Sequence, residues 1–158
     1  MFRLTVIILL LFCPCILNAQ ANVDALDKDQ RNMLKLTKLR KVQIGNNREG
    51  FAYFVDKNTN NIYSVEERGI AKLHEISDSA VLIAFHANFK NDTVFRIVST
   101  FQKGRKPVSS VIYLKDDSIV ARKDIRESIE IDLAKFQIKA YDLLARAKAL
   151  ELGRPPSN

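Results

Sequence analysis

The chain has no tryptophan, two cysteines, two histidines, four prolines and five glycines in 158 residues. Each shortage excludes something. Both cysteines, Cys13 and Cys15, fall in the stretch FCPCILNAQA at residues 12–21. Arg3 is the only charge before Asp24, residues 4–17 are an almost unbroken apolar run, and Ala19-Gln20-Ala21 follows. A basic start, a short apolar middle and an A-x-A end make up a secretory leader. A spanning helix needs about 20 apolar residues. This run is shorter, is interrupted by Pro14, and ends in Asn18 and Gln20. A lipid anchor would need a small residue before the modified cysteine, but Phe12 precedes Cys13 and Pro14 precedes Cys15. The expectation is cleavage after Ala21 or Ala19 and a periplasmic or secreted mature chain. That chain would have no cysteine and hence no disulfide or thiol nucleophile, so its stability must come from an apolar core.

With residues 1–21 removed, 137 residues remain, which suits one domain with its own core. The loss of Arg3 leaves 24 basic against 18 acidic residues, a net charge of +6. The excess is spread along the chain. A solvated basic surface is therefore preferred to attraction towards an anionic surface, which stays as the sharper alternative. No nucleic-acid recognition motif is visible. No later apolar run is long enough to cross a membrane.

Residues 22–40 read as a helix. Asp24, Asp27 and Asp29 crowd its start, Lys35, Lys38 and Arg40 its end, a gradient that complements the helix dipole. The period then shortens. Residues 42–44, 51–55 and 62–64 are strand-like, and Ser64 with Glu67 resembles a capping box for a short helix reaching about residue 76. The middle is the clearest sheet signal. Residues 80–90, 93–102, 108–114 and 118–122 are joined by short turns at Asn91-Asp92, residues 103–107 and residues 115–117. Connections this short predict an antiparallel meander, since parallel neighbours need long crossovers.

Residues 125–152 predict a long helix capped by Asp124 and closed by Gly153 and Pro155-Pro156. Ile129, Leu133, Phe136, Ala140, Leu143, Ala147 and Leu150 form its main apolar seam. A thinner stripe through Ile131, Ile138, Ala145 and Leu152 faces away. Either the first helix or a protein partner, a second copy included, should cover it, and the first helix is favoured. The fold class is α+β: a single domain over residues 22–152, an antiparallel meander packed by an N-terminal and a long C-terminal helix, with residues 153–158 a loose tail.

Residues 56–67, DKNTNNIYSVEE, resemble the calcium loop of EF-hand proteins. Asp56, Asn58, Asn60 and Glu67 stand at loop positions 1, 3, 5 and 12. The pattern departs where Asn61 replaces the turn glycine, Tyr63 takes the aliphatic place, and a strand-like segment enters the loop. A plain Asn-rich hairpin turn is preferred, so weak or no calcium binding is expected. His74 and His86 lack any metal-ligand spacing and read as neutral histidines at the core edge. No G-x-S-x-G elbow frames a serine, and no glycine loop cradles phosphate. Neither a metal nor a cofactor is expected. Asn91-Asp92-Thr93 fits the N-glycosylation triplet.

The basic turn Lys103-Gly104-Arg105-Lys106 is the best candidate binding element, with Lys38, Arg40 and Lys41 as possible companions at an anion-binding edge. Lysines at strand ends also discourage edge pairing, which is the blander explanation. The leading functional expectation is an exported binding or scaffolding module without catalysis. The runner-up is an envelope-associated hydrolase whose site assembles only in the fold.

Overall fold

The computed structural model describes residues 23–28, 30–32, 34, 38–46, 49–69, 81–103 and 106–153. The expected leader, His74, Gly104, Arg105 and the tail beyond residue 153 lie outside them. Helix α1 is helical at residues 23–28, 30–32 and 34. Seven strands follow: β1 (Leu39–Gly45), β2 (Gly50–Asp56), β3 (Ile62–Arg68), β4 (Val81–Lys90), β5 (Thr93–Lys103), β6 (Lys106–Lys115) and β7 (Ser118–Ile125). Helix α2 (Leu133–Leu152) closes the chain. The strands form one sheet in the order β1-β2-β3-β4-β5-β6-β7, every neighbour antiparallel. This is the α+β meander expected from the turns. No helix among the described residues is long and apolar enough to cross a membrane.

The turn chemistry explains the register. Asn91 and Asp92 have φ of 50° and 63°, and Asp116 and Asp117 have 50° and 60°. Two successive left-handed residues make the hairpin turn whose twist matches the strands, and Asn and Asp tolerate that conformation. At the β1–β2 hairpin Gly45 has φ of 90°, and a Cβ there would stand 2.8 Å from the Glu49 carbonyl oxygen. Only glycine fits such a turn without strain.

The two helices lie on opposite faces of the sheet. Phe136, Ala140, Leu143, Leu144 and Ala147 of α2 pack with Phe85, Ile97, Phe101 and Ile112 in the main core. The Phe136 ring stands 5.7 Å from Phe85 and 6.2 Å from Phe101, between centroids. Val23 and Leu26 of α1 pack instead with Val98, Val111, Tyr113 and Ala121. Polar ties fix where α2 crosses the strands. Gln137 Nε2 donates to Asp117 Oδ1 at 3.2 Å. Glu67 pairs with Lys139 and, at 3.7 Å, with Arg146. At the far end Glu151 pairs with Arg40 and accepts from the Tyr53 hydroxyl at 3.0 Å. The helix therefore spans the sheet from the β7 side to the β1–β2 side.

Four sequence expectations are overturned. Leu39 and Arg40 belong to β1 and not to the first helix, because the ladder with Val55 and Asp56 satisfies their backbone. Ser64 to Glu67 lie inside β3, paired to β2 and β4, so Ser64 caps nothing. Asp124 is not a helix cap either. It sits in β7, where it accepts from Ser110 Oγ at 2.7 Å and Ser128 Oγ at 2.9 Å. Arg126, with φ of 78°, then turns the chain. The cap is Asp132, whose carboxylate accepts from the Lys135 N–H at 3.2 Å. Finally, α1 does not cover the second stripe of α2. It lies across the sheet from it, and Ile138 and Leu152 remain 62% and 87% exposed.

Candidate functional site

A cavity of about 590 Å3 lies beneath α1 at the sheet end that carries the turns at residues 57–61, 91–92 and 116–117. Its walls include Leu26 and Gln30 from α1, and Ile62, Tyr63, Phe89, Phe95, Tyr113, Leu114 and Val120 from the strands. Register explains why it forms here. Val55 pairs with Ile62 and Phe54 with Ser64, which leaves Tyr63 as the extra residue of a β-bulge. Phe89 pairs with Val94 and Asn88 with Arg96, which leaves Phe95. Leu114 pairs with Ile119 and Tyr113 with Ala121, which leaves Val120. Each bulge falls one or two residues into a strand that leaves the same end of the sheet, and all three unpaired residues line the cavity. A bulge bends its strand and re-aims a side chain. Three in a row make the hollow between the sheet and α1. Tyr63 and Phe95 meet edge to face, their ring centroids 6.5 Å apart.

Gln30 and Tyr113 of the wall belong to a polar cluster behind it that is mostly self-paired. The Tyr113 hydroxyl donates to Asp27 Oδ1 at 2.5 Å and accepts from Arg96 Nε at 3.0 Å. Arg96 Nη2 reaches the same Asp27 oxygen at 3.0 Å, and Arg96 Nη1 reaches Asn88 Oδ1 at 3.4 Å. Gln30 Nε2 donates to Asn88 Oδ1 at 3.1 Å. The cluster fastens α1 to β4, β5 and β6. Burial, reinforced by the Asp27 hydrogen bond, pushes the Tyr113 hydroxyl up to about 12, so it stays protonated. Tyr63 differs. Its hydroxyl is buried beside Gln30 without a hydrogen bond of ordinary length, and burial raises it as well.

His86 lies on β4, on the face away from Phe85 as expected, with Nε2 3.4 Å from Asn88 Nδ2. Burial first, then the charge of Arg96, lowers its pKa to about 4. Glu66 acts the other way and Arg68 with the shift. A folded value below the ordinary 6.5 means that the unfolded chain takes up the proton first as pH falls. The His86 contribution is therefore whole above pH 6.5 and lost progressively towards pH 4. The melting temperature should drop across that window, and His86→Gln should flatten the drop. Melts at matched ionic strength check this.

The residues singled out in the sequence lie elsewhere. Lys103 and Lys106 pair across the β5–β6 turn, at the end of the sheet opposite the cavity, while Arg105 is outside the described residues. Lys106 is exposed. The companions Arg40 and Lys41 are not beside it, since β1 is separated from β5 by three strands and Arg40 is paired to Glu151. The calcium-like segment is a hairpin turn running into β3. Asp56 Oδ1 accepts from the Asn58 N–H at 2.9 Å, and the left-handed residue is Asn60, with φ of 58°, not Asn61. Glu67 lies away from that turn, paired to Lys139 and Arg146 of α2. Among the described residues no group of three or more His, Asp or Glu is placed to hold a metal ion.

The chain matches no protein-family model, no curated protein and no solved structure. The cavity residues went unnoticed in the sequence because a bulge has no composition of its own. Tyr63, Phe95 and Val120 look like ordinary members of strand runs.

Proposed function

We propose that the protein is an exported binding module that holds a small, largely apolar molecule in the cavity under α1 and performs no chemistry on it. The row of three bulges carries this reading. It places a tyrosine, a phenylalanine and a valine in one hollow and so keeps a volume open at the end of an otherwise filled sheet. About 300–1,000 Å3 with mostly apolar walls and a few polar groups is the usual form of a small-molecule site. Export rests on the leader pattern at residues 1–21.

The hydrolase reading has less support. The acid in the cavity lining, Asp56, accepts from the Asn58 N–H of its own turn, and behind the wall Asp27 is bound to Arg96 and Tyr113 while burial keeps His86 neutral. A catalytic proton carrier needs a partner on the substrate side and a pKa near the working pH.

The test uses an uncharged naphthylamine dye that brightens in apolar sites. The wild-type chain should bind it saturably. Val120→Phe, which narrows a cavity whose wall is 48% exposed at that point, should weaken it at least about tenfold with an unchanged melting temperature. Absence of saturable binding by the folded wild-type protein overturns the proposal.

A further inference from the structure

We infer that the ligand is an anionic amphiphile, an apolar body with a carboxylate or phosphate head that lies between Lys90 and Lys115; this rests on the cavity being a binding site. Lys90 is the last residue of β4 and Lys115 the last of β6, and both line the cavity while remaining exposed. They flank the two left-handed turns, since Lys90 pairs with Thr93 and Lys115 with Ser118. One strand, β5, separates them, so their backbones stand about 10 Å apart, two interstrand spacings. A single oxyanion fits in that interval between two long, flexible ammonium groups.

Lys123, Lys139, Lys148, Arg96 and Arg122 each have a carboxylate partner. Lys90 and Lys115 have none among the described residues, as is true of the exposed Lys28, Lys41, Lys57 and Lys106, but Lys90 and Lys115 are the lysines that stand in the cavity lining. The acid in the cavity lining, Asp56, turns one carboxylate oxygen to the N–H of Asn58 in its own turn. Behind the lysines the wall is apolar at Ile62, Phe89, Phe95, Leu114 and Val120. The buried Tyr63 hydroxyl, beside Gln30 but without a hydrogen bond of ordinary length, adds a donor that can turn to an acceptor oxygen. Cations at the mouth and an apolar interior together match a molecule whose charge is negative and confined to one end.

The experiment displaces the bound naphthylamine dye with three twelve-carbon probes: dodecanoate, dodecyl phosphate and dodecyltrimethylammonium. Both anions should displace it at concentrations at least about tenfold lower than the cation, with the margin shrinking as salt is raised. If one anion alone shows the margin, the head group is assigned to that chemistry. Lys90→Glu/Lys115→Glu should abolish the margin, read against that variant's own dye affinity, and Lys90→Gln/Lys115→Gln should reduce it even if the reversal disturbs the turns. Equal displacement by the cation, or a margin that survives both double variants, overturns the inference while dye binding upholds the cavity. Failure of the dye to bind the folded wild-type chain removes the underlying reading instead.

Discussion

Phe136→Ala is expected to lower the unfolding free energy by about 3–5 kcal/mol, the usual cost of removing a fully buried phenylalanine. Phe136 is 0% exposed, and its ring leans on Phe85 and Phe101 from α2, the helix that packs on this face among the described residues. Truncation removes the transfer energy of the ring and leaves a hole that two strand-borne rings cannot close, because β4 and β5 are held by their ladders. Domains of this size have about 5–15 kcal/mol of stability in all, so the variant stands near the unfolding threshold. Urea denaturation should show a lower midpoint with an unchanged slope. Leu152→Ala on the same helix, at a side chain 87% exposed, should move the midpoint by no more than about 0.5 kcal/mol.

Arg96→Met is the second large effect. Arg96 holds Asp27, Asn88 and Tyr113 together at 3.0, 3.4 and 3.0 Å. Its loss leaves the Asp27 carboxylate with the Tyr113 hydroxyl as a donor but without its cation. Breaking a buried pair from one side costs about 3–5 kcal/mol, but these side chains are 14% and 18% exposed and water reaches them, so about 2–4 kcal/mol is expected. The damage should be local. α1 should loosen from the sheet, its amides should exchange faster, and dye binding should fall because Leu26 and Gln30 roof the cavity. Arg96→Met combined with Asp27→Leu should recover part of the loss, since the second change removes the stranded charge. Equal destabilisation in the single and double variants would mean that packing of the arginine stem, not its charge, holds α1.

The sheet was largely legible, and the reason is local. Asn91-Asp92 and Asp116-Asp117 carry the backbone preference of their turns in their own side chains, so the hairpins announce themselves within a few residues. The ends of elements were misread where a local signal competed with a distant partner. Lys38 and Arg40 look like the basic end of a helix, but β2 is available to pair with residues 39–45. Asp124 looks like a cap, but Ser110 on β6 claims its carboxylate. Ser64 and Glu67 imitate a capping box because a three-residue spacing carries no information about ladders. The second stripe of α2 is exposed at Ile138, Ala145 and Leu152, whereas Ile131 lies before the helix and packs on the main core. Its cover was wrongly assigned, because periodicity says which way a side chain points and not what stands opposite.

The cavity was illegible for a different reason. Its wall is made by pairing offsets, and an offset belongs to two strands at once. The polar cluster behind it joins residues 27 and 30 of α1 to residues 88, 96 and 113 on three strands, far along the chain from the helix. The basic turn at Lys103 and Lys106 was visible for the opposite reason, since its charges are adjacent in the chain.

The strictly sequential sheet also sets an order of assembly. Every strand pairs with the one made just before it, so each hairpin closes a short loop and the sheet can grow as the chain appears. Helix α1 is the exception. It is made first, yet its anchors Arg96 and Tyr113 lie 69 and 86 residues downstream of Asp27. During synthesis the docking surface of α1 stays incomplete until β6 and β7 exist, since Val111, Tyr113 and Ala121 complete the cluster that covers Val23 and Leu26. The first helix to be made is thus the last part of its face to be secured, and refolding should show strand formation ahead of α1 docking.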